Sequence, residues 1–321
     1  MPGIAVVHLI RRGNDPVLFE RFIASYRRHD SGLPHRLVLV FKGFDKVCPP
    51  GVSHLLEDIP YTPLFVSDEG LDITAYVKCA TAMEENVTHL LFLNSHAEIL
   101  ADDWLKSLHT PFADPGVGAT GATGSWQSNF NGIFHWPYTF LLVVKRSVLK
   151  NNSAGVLSRI GTELSDPLKK SSLKLLLRNP FFFYRHFKRF PNPHLRTNGF
   201  MIRRDTFIAV ADHPFDTKRW AYVFESGRTG LSMQLMRMGL RLVVVDRYGK
   251  AHEVDDWHAT NTFWTGDQGN LLIGDNQTRS YQSASAEQRR NLASVAWGRR
   301  AAKGWLKASA SRSSMKVFDD G

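Results

Sequence analysis

The chemistry in this chain concentrates where an apolar run stops. Residues 89–105 read H-L-L-F-L-N-S-H-A-E-I-L-A-D-D-W-L, and the run 90–93 gives way at once to Asn94, Ser95, His96 and Glu98. An amide, a hydroxyl, an imidazole and a carboxylate so close together can ligate a metal ion or hold hydroxyl groups. A buried strand that ends in polar residues is how open α/β sheets present a ligand at their carboxyl edge. The competing reading is an ordinary strand end, with turn residues and an aspartate, Asp102 or Asp103, capping a helix that starts near Trp104.

The elements that must position this cluster alternate in type. Residues 4–10 form a short apolar strand, 16–26 carry helical spacing, 36–41 make a second buried strand and 62–66 a third. A helix is predicted over 71–85 with Asp72 placed to cap it, then the strand 90–93 and a helix from Asp102. This order predicts an α/β fold with a mostly parallel sheet covered on both faces. Residues 117–125, V-G-A-T-G-A-T-G-S, lack both the lysine ending of a P-loop and G-x-G-x-x-G spacing. They read as a short strand approached closely by a ligand or by another backbone. Further on come an apolar segment at 196–204, a loop feeding a helix at 225–239, a strand at 240–245 and a helix over 286–306.

Composition narrows the class. At 321 residues the chain can bury one large core or two modest ones. No run approaches the roughly 18 apolar residues of a membrane span. The opening M-P-G-I-A-V-V has no signal-peptide pattern, and Cys48 and Cys79 form neither a disulfide framework nor a C-x-x-C pair; a reduced, cytoplasmic setting is expected. The net charge of +10 is concentrated: residues 140–190 hold eleven Lys or Arg, from Lys145 to Arg189, against Glu163 and Asp166 alone, a local excess of +9. That block is amphipathic and ends in F-F-F-Y-R-H-F-K-R-F. It predicts a basic helical insert at 139–193 between the segments 1–138 and 194–280, with a C-terminal helix and tail at 281–321.

The order of these signals resembles the nucleotide-sugar glycosyltransferases of the GT-A (Rossmann-like) fold and is similar to the large inverting family two. The first two strands with Asp68-Glu69-Gly70 resemble the half that holds the nucleotide. The end of the 90–93 strand falls where that family carries its Asp-x-Asp metal motif, and D-D-W-L matches its helix start. Residues 196–204 resemble the acceptor-side segment, and Phe224-Glu225 resembles the segment that supplies the catalytic base. The resemblance covers about residues 4–130 and 195–250. Two departures stand out. Asn94-Ser95-His96 contains neither expected aspartate, and the base segment keeps one carboxylate.

The resemblance implies transfer of a sugar from a nucleotide-sugar donor to a glycan or lipid-linked acceptor, as in bacterial-type cell-surface polysaccharide synthesis, with inversion. Glu225 would be the base, with Asp216 and Asp255 in reserve; otherwise it is a helix-start carboxylate stabilised by the dipole. Arg11, Lys42, Asp68, Asp72, Asn94 and Ser95 would bind the donor, against readings as solvated charges or turn residues. A divalent cation, Mn²⁺ or Mg²⁺, would be held by His96, Glu98 and His252, histidine suiting Mn²⁺ better. The alternatives are cationic side chains in its place, or no metal at all. Asn198 and Trp257 would meet the acceptor, and the amide-rich segment 264–281 either reads sugar hydroxyls or wraps back onto the sheet. The basic insert would hold an anionic membrane surface, placing the protein at the inner membrane face; an insert packed on the body is the alternative, and no nucleic acid is expected. The rivals are a nucleotidyltransferase, of which Arg11-Arg12-Gly13 is a faint echo, and a non-catalytic sugar- or membrane-binding protein on the same fold.

Overall fold

The runs rich in Val, Leu and Ile form the centre of an eight-stranded sheet in the computed structural model, which describes residues 3–47, 50–130, 180–211 and 217–298. In chain order the strands are β1 Ile4–Arg11, β2 Arg36–Lys42, β3 Tyr61–Val66, β4 His89–Leu93, β5 Glu98–Ile99, β6 Val117–Gly121, β7 Gly124–Ser125, β8 His194–Leu195, β9 Gly199–Arg203, β10 Arg241–Val245, β11 Ala251–His252 and β12 Ile273–Gly274. The large sheet runs β11-β10-β6-β9-β4-β1-β2-β3. The ladders β1–β2, β1–β4, β2–β3 and β6–β10 are parallel. Strand β9 opposes β4 and β6, and β11 opposes β10. The expected α/β fold, a mostly parallel sheet flanked by helices, is therefore present.

Alternation along each strand feeds two cores. In β1, Ala5, Val7 and Leu9 face one layer while Ile4, Val6 and Ile10 face the other. In β4, Leu90 and Phe92 part from Leu91 and Leu93 in the same way. Strands buried on both faces have no polar side to show, which is why the sequence reads as continuous apolar runs.

Helices cover both faces: α1 Pro16–Arg28, α2 Asp72–Ala82, α3 Trp104–His109, α4 Pro180–His186, α5 Arg204–Val210, α6 Lys218–Ser226, α7 Leu231–Arg237, α8 Asn276–Ser283 and α9 Ala286–Trp297. Helix α1 follows its start signals, with the Asp15 side chain accepting from the Val17 amide, proline at the first position and Arg27 and Arg28 in the last turn. Three local expectations change. Asp72 does not cap α2; Leu71 holds that position and Asp72 lies in the first turn. Asp103 holds the N-cap position of α3 but its side chain makes no capping hydrogen bond, and Asp102 instead accepts from the Asp30 amide and meets His29 at 3.0 Å. Glu225 does not precede a helix; it is the penultimate residue of α6, with a short link to α7.

The glycine-rich stretch is approached closely, by side chains. A Cβ at Gly124 would stand 2.4 Å from Trp257 Cε3. Most of the basic block, together with Asp216, lies outside the described residues. At its described end, Phe183 and Phe187 pack with Phe130 and Val223 as a small third core, while Phe181 and Tyr184 are exposed. Among the described residues, no helix is long and apolar enough to cross a membrane.

Candidate functional site

Parallel strands deliver their carboxyl ends to one edge. Arg11, Lys42 and Val66 end β1, β2 and β3 in register, and antiparallel β9 starts at that edge too, with Gly199 opposite Leu93. The loops beyond this edge hold the polar residues singled out in the sequence.

Lys42 is fully buried. A buried ammonium must find oxygen partners, and it donates to the Asp68 carbonyl at 2.7 Å, the Asp68 carboxylate at 3.2 Å, Glu69 O at 3.2 Å and Gly70 O at 3.1 Å. Four acceptors engage its three protons, so Lys42 shapes the 68–70 loop and has no donor left for a phosphate. Gly70 completes this turn at φ +70°, and a Cβ there would lie 2.4 Å from Thr74 Oγ1. Arg11 reaches Asp68 at 3.8 Å and Asp72 at 3.7 Å.

Beyond β4 the chain makes a tight turn. The His96 amide donates to Asn94 Oδ1 at 3.0 Å and the Ala97 amide to Asn94 O at 3.1 Å. Strand β5 then pairs with β12, bringing α8 alongside. From α8, Arg279 donates to Glu98 Oε2 at 3.0 Å and to the His96 carbonyl at 3.1 Å, while Arg21 of α1 approaches Glu98 at 4.0 Å. Burial, then the Arg279 charge, pushes the His96 pKa down.

The base candidate comes from the other side of the sheet edge. Glu225 Oε1 accepts the Thr197 hydroxyl at 2.8 Å. Burial pushes its carboxyl pKa up, Thr197 and Arg196 hold it down, and the Asp72 charge pushes it up again. Asp72 is itself raised by burial, against the opposing charges of Arg11, Lys42 and His96. Asp72 is thus within electrostatic reach of both Glu225 and His96. The corner expected to meet the leaving group and the expected base share one neighbourhood.

Sequence reasoning missed several members of this neighbourhood. Tyr76 lies one turn after Asp72 on the same face of α2, a spacing readable in the sequence, and its hydroxyl is within reach of the Asp72 and Glu225 charges. Arg196 and Thr197 directly precede the anticipated Asn198, whose carbonyl accepts the Asn94 amide at 3.3 Å. Arg279 and Asp275 arrive only through the chain's return. Four buried polar atoms here have no hydrogen-bond partner: Asp72 Oδ1, Tyr76 OH, Arg196 Nε and Asn198 Nδ2. Buried orphans are uncommon, and each of these calls for an explanation.

Other expected residues lie elsewhere. Trp257 is fully buried, its indole donating to the His252 carbonyl at 3.0 Å; it fills the core and offers no stacking face. His252 sits on edge strand β11, its Nε2 2.9 Å from Asp246 Oδ2, and is not brought to His96. Asp255 is exposed on the turn before Trp257. The amide-rich segment wraps back on itself: Gln268 accepts from the Trp264 amide at 3.0 Å and donates to Thr278 O at 2.9 Å, and Asn270 donates to Thr260 O at 3.0 Å.

The anticipated Mn²⁺ or Mg²⁺ does not fit these donors. Such ions favour hard oxygen ligands, yet of the expected His96, Glu98 and His252 the Glu98 Oε2 lies between two guanidinium groups and His252 is paired with Asp246 on edge strand β11. Among the described residues, no group of three or more His, Cys, Asp or Glu is placed to hold a metal ion.

No protein-family profile matches the chain, and no curated protein matches it in sequence. Among solved structures it is similar to a mannosyltransferase from Pyrobaculum calidifontis in complex with GDP-Man and Mn²⁺, at 14% identity over 97% of this chain and 75% of that one, TM-score 0.44. It is also similar to 4-diphosphocytidyl-2C-methyl-D-erythritol synthase from Anaerococcus prevotii, at 12% identity over 39% of this chain and 57% of that one, TM-score 0.30. A third is GalNAc-T7 with UDP, GalNAc and Mn²⁺, at 20% identity over 37% of this chain and 22% of that one, TM-score 0.29.

Proposed function

We propose that the chain is a GT-A-type glycosyltransferase that moves a sugar from a nucleotide-sugar donor to a glycan or lipid-linked acceptor with inversion. The observation that carries this reading is the shared neighbourhood of His96, Asp72 and Glu225, bordered by unpartnered polar atoms at the carboxyl edge of the sheet. The donor's nucleoside would lie against the 68–72 loop that Lys42 and Arg11 brace. Asn94 and Asn198, joined through their backbones, would border the transferred sugar, and the Asn198 amide has a free donor for a sugar hydroxyl.

Glu225 would take the proton from the acceptor hydroxyl as that oxygen attacks the anomeric carbon and the nucleoside diphosphate departs from the opposite face. A raised pKa makes a carboxylate a stronger base, provided it is ionised at the working pH. Thr197 and Arg196 serve that proviso, since both favour the ionised form.

The acceptor would come from a membrane. Each Lys or Arg beside anionic lipid contributes about 1 kcal/mol, and the basic block supplies many. At its described end, exposed Phe181, Tyr184 and Trp220 accompany Arg185 and Arg219. Attachment would be peripheral, on the cytoplasmic face, in cell-surface polysaccharide assembly. Co-sedimentation with anionic liposomes at low salt, weakening as salt rises, tests this; no binding at low salt removes the membrane.

Donor hydrolysis and transfer assays with UDP-, GDP-, dTDP- and CMP-sugars, with and without Mn²⁺, test the enzyme. Turnover of one donor that is lost in Glu225→Gln supports the reading. Donor binding without turnover would favour a sugar-binding protein on the same fold.

A further inference from the structure

Arg196 differs from the cations around it. Lys42 is occupied by the 68–70 loop, Arg11 by Asp68 and Asp72, and Arg21 and Arg279 by Glu98. The Arg196 guanidinium has no hydrogen bond or ion pair to a described residue, and its buried Nε is unpartnered. It lies over the Phe263 ring, 4.2 Å from the centroid. Its charge is within reach of Glu225 and Asp275, yet neither closes to an ion pair. A guanidinium presents five donors in a planar fork, and an aromatic face beneath it fixes the plane of that fork. Arg196 is half-buried with its Nε shut off from water and unpaired, an uncommon arrangement that an anion would complete. Carboxylates and phosphates match the fork in geometry.

The position is also suitable. Arg196 stands two residues from Asn198, whose carbonyl holds Asn94 at the end of β4, where a divalent cation was expected and the donors do not fit one. We propose that Arg196 receives the diphosphate of the nucleotide donor directly, so that nucleotide binding requires no divalent cation. This rests on the glycosyltransferase reading above. As the bond between the anomeric carbon and the diphosphate oxygen breaks, its electron pair goes to that oxygen and the growing charge meets the Arg196 fork. The acceptor oxygen forms the new bond and its proton passes to Glu225.

Calorimetric titration of the full chain with UDP and GDP in EDTA, and again with Mn²⁺, tests the proposal. One diphosphate is expected to bind in EDTA with no gain on adding Mn²⁺. Arg196→Gln should weaken that diphosphate about ten- to a hundredfold, the range for charge-assisted hydrogen bonds, and leave the affinity for the parent nucleoside unchanged. Arg196→Lys, which keeps the charge without the fork, should recover part of the loss and serves if the glutamine variant melts early. Arg241→Gln, which removes a cation paired with Asp114 and Glu253 near the other end of the sheet, should bind as wild type. Binding that appears only with Mn²⁺ overturns the role of Arg196 and leaves the transferase reading standing. Equal diphosphate affinity in wild type and in folded Arg196 variants overturns it as well. No nucleotide binding in either condition overturns both.

Discussion

The Thr197 hydroxyl donates to Glu225 Oε1 at 2.8 Å, tying the segment that enters β9 to the last turn of α6. The two residues are 28 positions apart, and the bond fixes which way the carboxylate faces. It also counters the burial that pushes the Glu225 pKa up. A carboxylate at the end of a helix gains nothing from the helix dipole, so this hydroxyl and Arg196 are what favour its ionised state.

Glu225→Gln removes the proton acceptor and keeps the Thr197 contact. A loss of about 10²- to 10⁴-fold in kcat is expected, the usual contribution of a positioned base, with donor affinity unchanged. Single-turnover rates and nucleotide titrations check this together, and wild-type turnover would remove Glu225 from the chemistry.

The pH profile follows from the same carboxyl. A base must be ionised, so kcat/KM should fall as pH drops through a Glu225 pKa above the ordinary 4.5. Asp72 raises that pKa, so Asp72→Asn should move the acid limb to lower pH. Thr197 and Arg196 lower it, so Thr197→Val and Arg196→Gln should move the limb upward, with Thr197→Ser restoring it. Limbs that all coincide would mean that another group titrates.

Lys42→Met should destabilise the protein and loosen the donor loop together. It strips the carbonyls of Asp68, Glu69 and Gly70 of their shared donor, and a buried acceptor left unpaired costs about 1–3 kcal/mol. Thermal melts and nucleotide affinity read the two effects. A drop in affinity with an unchanged melting temperature would mean that Lys42 contacts the ligand itself.

Trp257→Ala tests a core role against an acceptor role. Removing this fully buried ring should cost about 3–5 kcal/mol, seen in denaturant unfolding, and the surviving folded enzyme should keep its acceptor KM. Gly124→Ala should destabilise through the same contact, because its Cβ would enter the indole. A raised acceptor KM at full stability would return Trp257 to the ligand.

The apolar runs at β1, β2 and β4 by themselves determined a mostly parallel, two-face-covered sheet, because strands buried on both sides can show no polar alternation. The polar residues just after β4 and just before antiparallel β9 lie at one edge, because β4 ends where β9 begins, and Asn94, His96 and Asn198 could be read there. What those side chains do was decided only by tertiary structure. Burial and partner choice are not local properties of a sequence. Lys42 reads as a strand-end cation open to phosphate until the 68–70 loop closes over it. Glu98 reads as a metal ligand until α8 returns 181 residues later with Arg279, and Trp257 as a platform until Gly124 admits it to the core. Arg196 shows the converse. It is one arginine among forty Lys and Arg residues, and only the packed fold leaves its fork unpaired over Phe263 beside the base.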